Sequence, residues 1–364
     1  MIGIEQKLKI VIDFDDVLVD CNGYALRLLS AEDGVLYDVR DITAWGCTGK
    51  PVDKRLKFFS ERFFFETQVA FPGAVEFMDE LMKRGDVTIV TAIDPRFVGE
   101  RMRRISELFP NFPLDHVILG SRKDIVQADV MIDDGLHNLL AANCRLPVLF
   151  DQPWNRSVSG ICRVRGYDEI LALVDFVAGK SFGSRTHDAD DPKVVCLVGP
   201  SGGSKHEVAD LVCSERGFRR VGTVTTAQER RNTGRNVSAE EFERLVSEGA
   251  FLEHAWYTGD RYGVLKADVE EVLADGDVAV MVMDVSGCLS TRIAYPGKCR
   301  IFYVDREKRD CVESIILKKG LTPSQMTDRI MSIDFERKNH VLADRVVGSS
   351  LSVQEQAAEV RNLI

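Results

Sequence analysis

Two short apolar runs, each ending abruptly in paired carboxylates, constrain this chain more than any other feature. The first is Leu8-Lys9-Ile10-Val11-Ile12 followed by Asp13-Phe14-Asp15-Asp16, and the second is Val130-Met131-Ile132 followed by Asp133-Asp134-Gly135. Apolar runs rich in β-branched residues, without polar alternation, read as strands buried on both faces. In an open parallel sheet, ligands bind just beyond the carboxyl ends of the strands. Crowded carboxylates resist ionising unless a cation joins them. A hard divalent ion with oxygen ligands, Mg²⁺ above all, relieves that repulsion and prepares the place for an anionic substrate. An unprotonated Asp13 beside such an ion can attack phosphorus. Asp15, two residues on, is placed to protonate the leaving oxygen. The bland alternative is an acidic strand end with its carboxylates in water.

The residues between these runs fill in an α/β pattern. Asn22 to Arg40 reads as a helix. An aromatic-rich insert follows, with Trp45, Phe58, Phe59, Phe63, Phe64 and Phe65. Core packing accounts for most of these rings, and the remainder are candidates to line a slot for a planar base. Phe71-Pro72-Gly73 is a turn, and Ala74 to Lys83 carries a helical apolar stripe stopped by Gly85. Val87-Thr88-Ile89-Val90 is a second buried strand ending in Thr91-Ala92, whose hydroxyl and backbone N–H can hold a phosphate oxygen. Phe97 to Leu108 is a further helix, with Arg101, Arg103 and Arg104 expected to face outward. Val117-Ile118-Leu119 is a short strand, and Lys123 just after it can reach the same strand-end pocket.

The order acid pair, threonine, lysine, acid pair resembles the haloacid dehalogenase superfamily of phosphatases. The phrases Phe63-Phe64-Phe65-Glu66, Pro72-Gly73-Ala74-Val75-Glu76 and Leu149-Phe150-Asp151-Gln152-Pro153-Trp154-Asn155-Arg156 are similar to its 5′(3′)-deoxyribonucleotidase branch. The resemblance covers roughly the first half. It implies Asp13 as nucleophile and Asp15 as general acid and base. It implies Mg²⁺ held by Asp13, the Asp15 carbonyl, Asp133 and Asp134, and phosphate held by Thr91, Ala92 and Lys123. It also implies a small helical cap, with Trp45 and Phe58 as candidate base-stacking rings. One departure stands out: Asp16 occupies the place where such proteins usually have glycine.

Helix Glu169 to Val177 closes the first half, and the polar stretch from Gly179 to Pro192 reads as a linker. A buried strand then restarts at Lys193 and runs into Gly199-Pro200-Ser201-Gly202-Gly203-Ser204-Lys205-His206. Strand, glycine-rich turn, lysine and helix make a phosphate cradle. The pattern is broken at Ser204, which replaces a glycine, and at His206, which replaces the hydroxyl residue that would meet Mg²⁺.

Beyond it, Thr225-Thr226, Ser238-Ala239-Glu240-Glu241-Phe242, Gly249 to Ala255, Gly259-Asp260-Arg261-Tyr262-Gly263 and Asp284-Val285-Ser286-Gly287 resemble guanylate kinase. The resemblance implies that Glu253 and Asp284 accept guanine N–H donors. It places Arg230 and Tyr262 on the GMP phosphate, Lys205 on the ATP phosphates, and Arg329 as a clamp. Gly199, Ser201 and Gly202 would belong to the cradle. Ala227, Ile315 and Lys319 stand where arginines are expected. Phosphoryl transfer depends almost entirely on positioning and charge. The second half is therefore expected to be degenerate as a kinase while still holding guanine nucleotide. A bifunctional nucleotidase and GMP kinase, and a protein-docking module, remain open as rivals.

The resulting expectation is two domains, each a parallel-sheet three-layer α/β fold: a Rossmann-like hydrolase domain at 1–180 with its cap at about 20–72, a linker at 181–192, and a kinase-like domain at 193–364. The net charge of −10 argues against nucleic acid and anionic membranes as partners. Nine cysteines without Cys-x-x-Cys spacing signal neither zinc nor a disulfide framework, and fit a reducing cytoplasm. No leader or spanning segment is expected. The expected partners are a nucleoside monophosphate substrate, with GMP and ATP considered at the second domain, and a homodimer is compatible with this reading.

Overall fold

The computed structural model describes residues 7–181, 191–227, 234–257 and 260–364. They divide into two compact units. One comprises the described residues up to Arg156 together with Arg163–Ala178, and the other Ser157–Cys162 together with the described residues from Gly179 onward. Both are α/β units, as the alternating sequence pattern predicts. Among the described residues, no helix is long and apolar enough to cross a membrane.

The strands of the first sheet are β1 (Leu8–Ile12), β2 (Gly85–Thr91), β3 (Val117–Leu119), β4 (Gln127–Asp133), β5 (Asn143–Phe150) and β6 (Cys162–Val164). They form one sheet in the order β3-β2-β1-β4-β5-β6, with β1 to β5 parallel. The strand order reverses direction between β1 and β4, and such a switch point opens a crevice at the carboxyl ends of the two strands. Ile12 pairs with Ile132, and the Asp13 N–H donates to the Ile132 carbonyl at 2.9 Å. Asp13 and Asp133 are thereby the next residues of two adjacent strands at that crevice. Ile10, Ile12, Val130 and Ile132 are almost wholly buried, which anchors both strand ends.

The helices of this unit are α1 (Cys21–Asp33), α2 (Arg62–Thr67), α3 (Ala74–Arg84), α4 (Val98–Leu108), α5 (Leu136–Leu140) and α6 (Tyr167–Ser181). The expected helix from Asn22 to Arg40 is shorter than the sequence suggested. α1 stops at Gly34, whose φ of 64° lies in the left-handed region and whose N–H caps Ser30. Between α1 and α2 lies a ten-residue 3₁₀ stretch, Pro51–Ser60. This insert has its own small core, in which Leu26, Leu29, Ile42, Val52, Phe58, Phe64 and Phe65 pack together. The chain enters and leaves the insert through two segments joined by an isolated antiparallel bridge between Val19 and Ala70. Asp20 N–H donates to the Val69 carbonyl and Phe71 N–H to the Leu18 carbonyl, both at 3.0 Å.

The second unit holds β7 (Val194–Val198), β8 (Phe218–Arg220), β9 (Thr223–Thr225), β10 (Gly234–Asn236), β11 (Phe251–Tyr257), β12 (Asp260–Leu265), β13 (Val278–Val282), β14 (Cys299–Val304) and β15 (Arg345–Val347). Its helices are α7 (Lys205–Val212), α8 (Ala239–Ser247), α9 (Lys266–Ala274), α10 (Val285–Ala294), α11 (Lys308–Leu317), α12 (Pro323–Lys338) and α13 (Val353–Asn362). A parallel sheet β15-β14-β7-β13-β8 carries the main core, where Val195, Leu197, Val208, Val212, Phe302 and Val360 meet. A second sheet, β10-β9-β12-β11, is built on an antiparallel β11–β12 pair.

Gly85 opens β2 where β1 passes closest. A β-carbon there would lie 2.5 Å from Ile10 Cδ1 and 2.8 Å from the Leu8 carbonyl oxygen. Gly85→Ala is expected to destabilise the first unit by about 1–3 kcal/mol through overpacking. A thermal melt checks this, with a fall of about 2–4 °C per kcal/mol expected for a unit of this size. An unchanged melting temperature contradicts it.

Candidate active site

The carboxyl ends of β1 and β4 enclose a cluster of buried ionisable groups. Lys123 Nζ lies 2.8 Å from Asp13 Oδ1 and 2.6 Å from Asp133 Oδ2. Asp134 completes the cluster: one carboxylate oxygen from each of Asp13, Asp133 and Asp134 falls within 4.8 Å of the others. All four side chains are nine-tenths or more buried. Burial, and then the Asp133 and Asp15 charges working against Lys123, push the Asp13 carboxyl up to about 7. Burial, with the Asp133 charge next, pushes Asp134 well above the usual carboxylate range. Burial works against the charge of Lys123, but the two flanking carboxylates outweigh it and raise its pKa. Three acids thus face one lysine, and the deficit of two positive charges is what a divalent cation supplies. The donor set consists of hard oxygens, which suits such an ion.

Neighbouring groups orient these ligands. Asp133 accepts from Gly135 N–H at 2.8 Å and from Asn138 Nδ2 at 2.9 Å. Trp154 Nε1 donates to Asp134 Oδ2 at 2.8 Å, and Asn155 Nδ2 to the Asp134 carbonyl at 3.0 Å. Asp13 Oδ1 takes the Phe14 N–H at 2.7 Å as well as Lys123. Its Oδ2 has no hydrogen-bond partner among the described residues.

The cluster lies at one wall of a cavity of about 580 Å³ between the strand ends and the insert. That volume is within the range that small-molecule sites occupy. Asp13, Asp15, Lys123, Asp134 and Ala92 line it, together with Trp45, Phe59, Phe65 and Trp154. Trp45 is half exposed, and its ring leans on His137 with centroids 4.9 Å apart. Thr91 is wholly buried beside Ala92, and its hydroxyl has no partner among the described residues. A buried orphan hydroxyl costs about 1–3 kcal/mol unless something satisfies it.

Two sequence expectations are corrected here. Phe58 does not line the cavity; it is buried in the insert's core, edge-on to Phe63. Residues three apart eclipse in a 3₁₀ stretch, so Val52, Arg55 and Phe58 share its buried face. The next row, Leu56 and Phe59, lines the cavity, as does Arg55 but not Phe58. Arg101 does not face outward either. It is fully buried, and its guanidinium grips Asp15 with Nη1–Oδ1 at 2.9 Å and Nη2–Oδ2 at 2.7 Å. Phe97, Arg101 and Ile105 recur every four residues and are all buried, a spacing that reveals the inward face.

Sequence reasoning missed Gln68, whose Nε2 donates to Asp15 Oδ1 at 3.1 Å. It also missed the chain of bonds from Asp16 through Asn22 to Arg55. Asp16 accepts from Asn22 N–H at 2.9 Å, and Asn22 Oδ1 accepts from Arg55 Nε at 2.7 Å. Asp16 is the only non-glycine residue with positive φ among the described residues, at 56°. Aspartate tolerates that region better than most side chains. Burial lifts its carboxyl to about 8.

In the second unit, Gly199, Ser201 and Gly202 lie in the single turn from β7 into α7, and Lys205 opens that helix. Lys205 Nζ donates to the Gly199 and Pro200 carbonyls, both at 3.0 Å. The buried Glu336 accepts from Ser201 N–H at 2.6 Å and from its hydroxyl at 2.9 Å. Glu253 is buried on β11, and a β-carbon on Gly287, in the first turn of α10, would lie 3.0 Å from its Oε2. Asp284 caps that helix, accepting from Gly287 N–H at 2.7 Å. Tyr262 is half-buried on β12, and Arg329 is half-buried on α12. Arg230 lies outside the described residues, as does most of the expected linker. Ile315, where an arginine was expected, is buried with Cys311 and Ile333.

Strand order and switch point define the first unit as a Rossmann-like α/β domain with a buried acid–lysine cluster at the switch-point crevice. Residues 6–182 match the family model described as 5′ nucleotidase, deoxy (pyrimidine), cytosolic type C protein, and residues 191–341 match guanylate kinase. The 5′(3′)-deoxyribonucleotidase of Bacillus subtilis (strain 168) is 31% identical over 172 residues, covering 45% of this chain and 97% of that protein. The guanylate kinase of Fusobacterium nucleatum subsp. nucleatum is 33% identical over 119 residues, covering 31% of this chain and 64% of that protein. A solved guanylate kinase from Anaplasma phagocytophilum aligns with a TM-score of 0.38 at 20% identity, covering 49% of this chain and 85% of that one. The chain belongs to the 5′(3′)-deoxyribonucleotidase family through its first half, and its second half is similar to guanylate kinases over residues 191–341.

The raised Asp13 pKa gives a signed prediction. Without a cation, the folded state keeps a proton that the unfolded chain releases above its ordinary value of 3.8. The contribution to stability from this group is therefore present at low pH and lost as pH rises toward about 7. Cation binding requires ionised ligands and reverses that loss. Added MgCl₂ is expected to raise the first unit's melting temperature more at about pH 8 than at about pH 5. Differential scanning calorimetry checks this, and equal shifts at the two pH values contradict it.

Proposed function

We propose that the first unit is a Mg²⁺-dependent phosphatase of nucleoside and deoxynucleoside monophosphates, working through an aspartyl-phosphate. The observation that carries this reading is the buried Asp13–Lys123–Asp133–Asp134 cluster opening on a cavity lined by aromatic rings. Unaided phosphate-monoester hydrolysis is among the slowest of biological reactions. A site that performs it needs a nucleophile, an acid, and positive charge around the phosphoryl oxygens. That Asp13, Asp15 and Lys123 line one cavity at the strand ends supports assigning these three roles to them.

Asp13, Asp133, Asp134 and the Asp15 carbonyl would hold the ion, which supplies charge neutralisation for phosphate and favours the ionised form of Asp13. The remaining work falls to the chain. Lys123 and the unsatisfied Thr91 hydroxyl, with the Ala92 backbone, receive phosphoryl oxygens. Trp45 and Phe59 offer faces to the base. Asp13 Oδ2, the oxygen not engaged by Lys123, attacks phosphorus. As the phosphorus–oxygen bond breaks, its electron pair stays on the nucleoside oxygen, which takes a proton from Asp15. Water then attacks the acyl phosphate, Asp15 accepts its proton, and phosphate leaves with Asp13 regenerated.

The second unit is read as a guanine-nucleotide-holding domain that has lost kinase turnover. His206, the second residue of α7, stands where a metal-binding hydroxyl is needed, and Ile315 is buried in place of a cation. Glu253 retains a carboxylate that can only accept from guanine N–H groups. A bifunctional enzyme is the alternative, and a protein-docking role is the other.

Asp13→Asn is expected to abolish Mg²⁺-dependent phosphate release from deoxynucleoside monophosphates, by about 10³-fold or more. A colorimetric phosphate assay checks this; a full rate in the variant removes the nucleophile assignment. For the second unit, incubation with GMP and ATP is expected to release no ADP, while GMP raises the melting temperature. ADP release that disappears in Lys205→Ala overturns the degenerate reading. The absence of any thermal shift favours the docking role.

A further inference from the structure

Arg55 of the insert is only partly engaged by the fold. The residue is 3% exposed. Its Nε donates to Asn22 Oδ1 at 2.7 Å, and its Nη1 to the Val52 carbonyl at 3.3 Å and to Asp53 Oδ1 at 3.4 Å. Nη2 has no hydrogen-bond partner among the described residues. The groups that hold the guanidinium are themselves fixed. Asn22 donates to Asp16 twice, from its N–H at 2.9 Å and from Nδ2 at 2.6 Å. Asp53 accepts from the N–H groups of Thr48 at 2.6 Å and Lys50 at 3.1 Å.

Arg55 also lines the cavity, and Lys123 is the only other lysine or arginine among the lining residues. Lys123 stands at the strand ends, engaged by Asp13 and Asp133. Arg55 stands in the insert, which also contributes Trp45, Leu56 and Phe59 to the lining. A nucleotide anchored by its phosphate at Lys123 therefore offers its base to the insert. Burying a guanidinium is costly, and an unsatisfied donor adds to that cost. An aliphatic side chain would fill the position without either penalty. The open donor is accounted for if a ligand brings the acceptor.

The surroundings select the kind of acceptor. A second phosphate would need positive charge that nothing else answers. The charge of Arg55 is answered by Asp53, and Asp15 and Asp16 line the same cavity. What remains is a directional N–H donor, which suits a neutral oxygen. A guanidinium donates and never accepts. It pairs with a carbonyl oxygen on a base and not with an amino group at the same place.

We propose that Arg55 reads the base of the substrate, its Nη2 donating to the exocyclic oxygen of a 4-oxopyrimidine or 6-oxopurine. This rests on the reading of the first unit as a nucleotidase. Those oxygens lie on the edge of the base remote from the glycosidic bond, and so far from the phosphate. A 4-amino or 6-amino group there sets N–H against N–H and is rejected. Arg55 touches neither phosphate nor the reacting atoms, so its effect falls on the choice of base and not on hydrolysis of the ester as such.

The test measures kcat/KM on matched substrates: dUMP against dCMP, dIMP against dAMP, and 2-deoxyribose 5-phosphate, the same kind of ester without a base. The wild-type protein is expected to favour the oxo partner of each pair by about tenfold or more. In Arg55→Met, dUMP and dIMP lose about 10- to 100-fold, and the preference within each pair shrinks to less than about threefold. Hydrolysis of 2-deoxyribose 5-phosphate changes by less than about twofold, which also reports that the variant is folded. The wild-type pairs need no variant and decide the matter if Arg55→Met does not fold. Equal kcat/KM within the wild-type pairs, or an Arg55→Met loss as large on the base-free ester as on the nucleotides, overturns the proposal while the nucleotidase reading stands. A folded wild-type protein that hydrolyses none of these substrates overturns that reading and the proposal with it.

Discussion

One lysine buried among three carboxylates is the interaction on which the first unit depends. Lys123 bridges Asp13 and Asp133 at 2.8 and 2.6 Å, and Asp134 adds a third carboxyl group that burial disfavours in its ionised form unless a cation joins it. An ion pair removed from water is worth little unless its geometry and hydrogen bonding are complete. Here they are complete for Asp133, which Gly135 and Asn138 also serve, and incomplete for Asp13, whose Oδ2 is left open. Such a cluster stores an affinity for positive charge. The fold maintains it by pairing β1 with β4 in a register that sets Ile12 beside Ile132 and so brings the two acids together.

The insert is attached by a few backbone bonds, yet it bonds to the acids beyond β1 at several points. Asp16 binds Asn22, and Asn22 binds Arg55 of the 3₁₀ stretch. Gln68 and Arg101 converge on Asp15 from the other side. The positive φ of Asp16 carries a local cost, about 1–2 kcal/mol for an ordinary L-residue and less for aspartate. The Asn22 bonds offset it, which explains how a glycine position can be occupied by an acid.

The sequence made the strand ends legible because burial on both faces leaves an unbroken apolar run, and a run that stops at two acids is conspicuous. Lys123 could be placed from its position after a strand. Arg101 was misread because a charged residue on a helix was assigned to the solvent face, although Phe97 and Ile105 bracket it at four-residue spacing. Phe58 was misread because its segment has a threefold period rather than a helical one. In the second unit the glycine-rich turn was plain. Its bond to Glu336 was not, since 135 residues separate the partners and only packing of α12 brings them together. Local patterns report which face is buried; they do not report which distant group will satisfy a buried charge.

The central claim is that Asp13, Asp133 and Asp134 form a single cation site shared with phosphate. Its most direct measurement is an anomalous difference map from crystals grown with Mn²⁺ and inorganic phosphate. The account predicts one strong Mn²⁺ peak among these three carboxylates, with phosphate against Lys123 and Thr91. A map with no metal there, or with Mn²⁺ bound elsewhere while Lys123 still bridges Asp13 and Asp133, would contradict it.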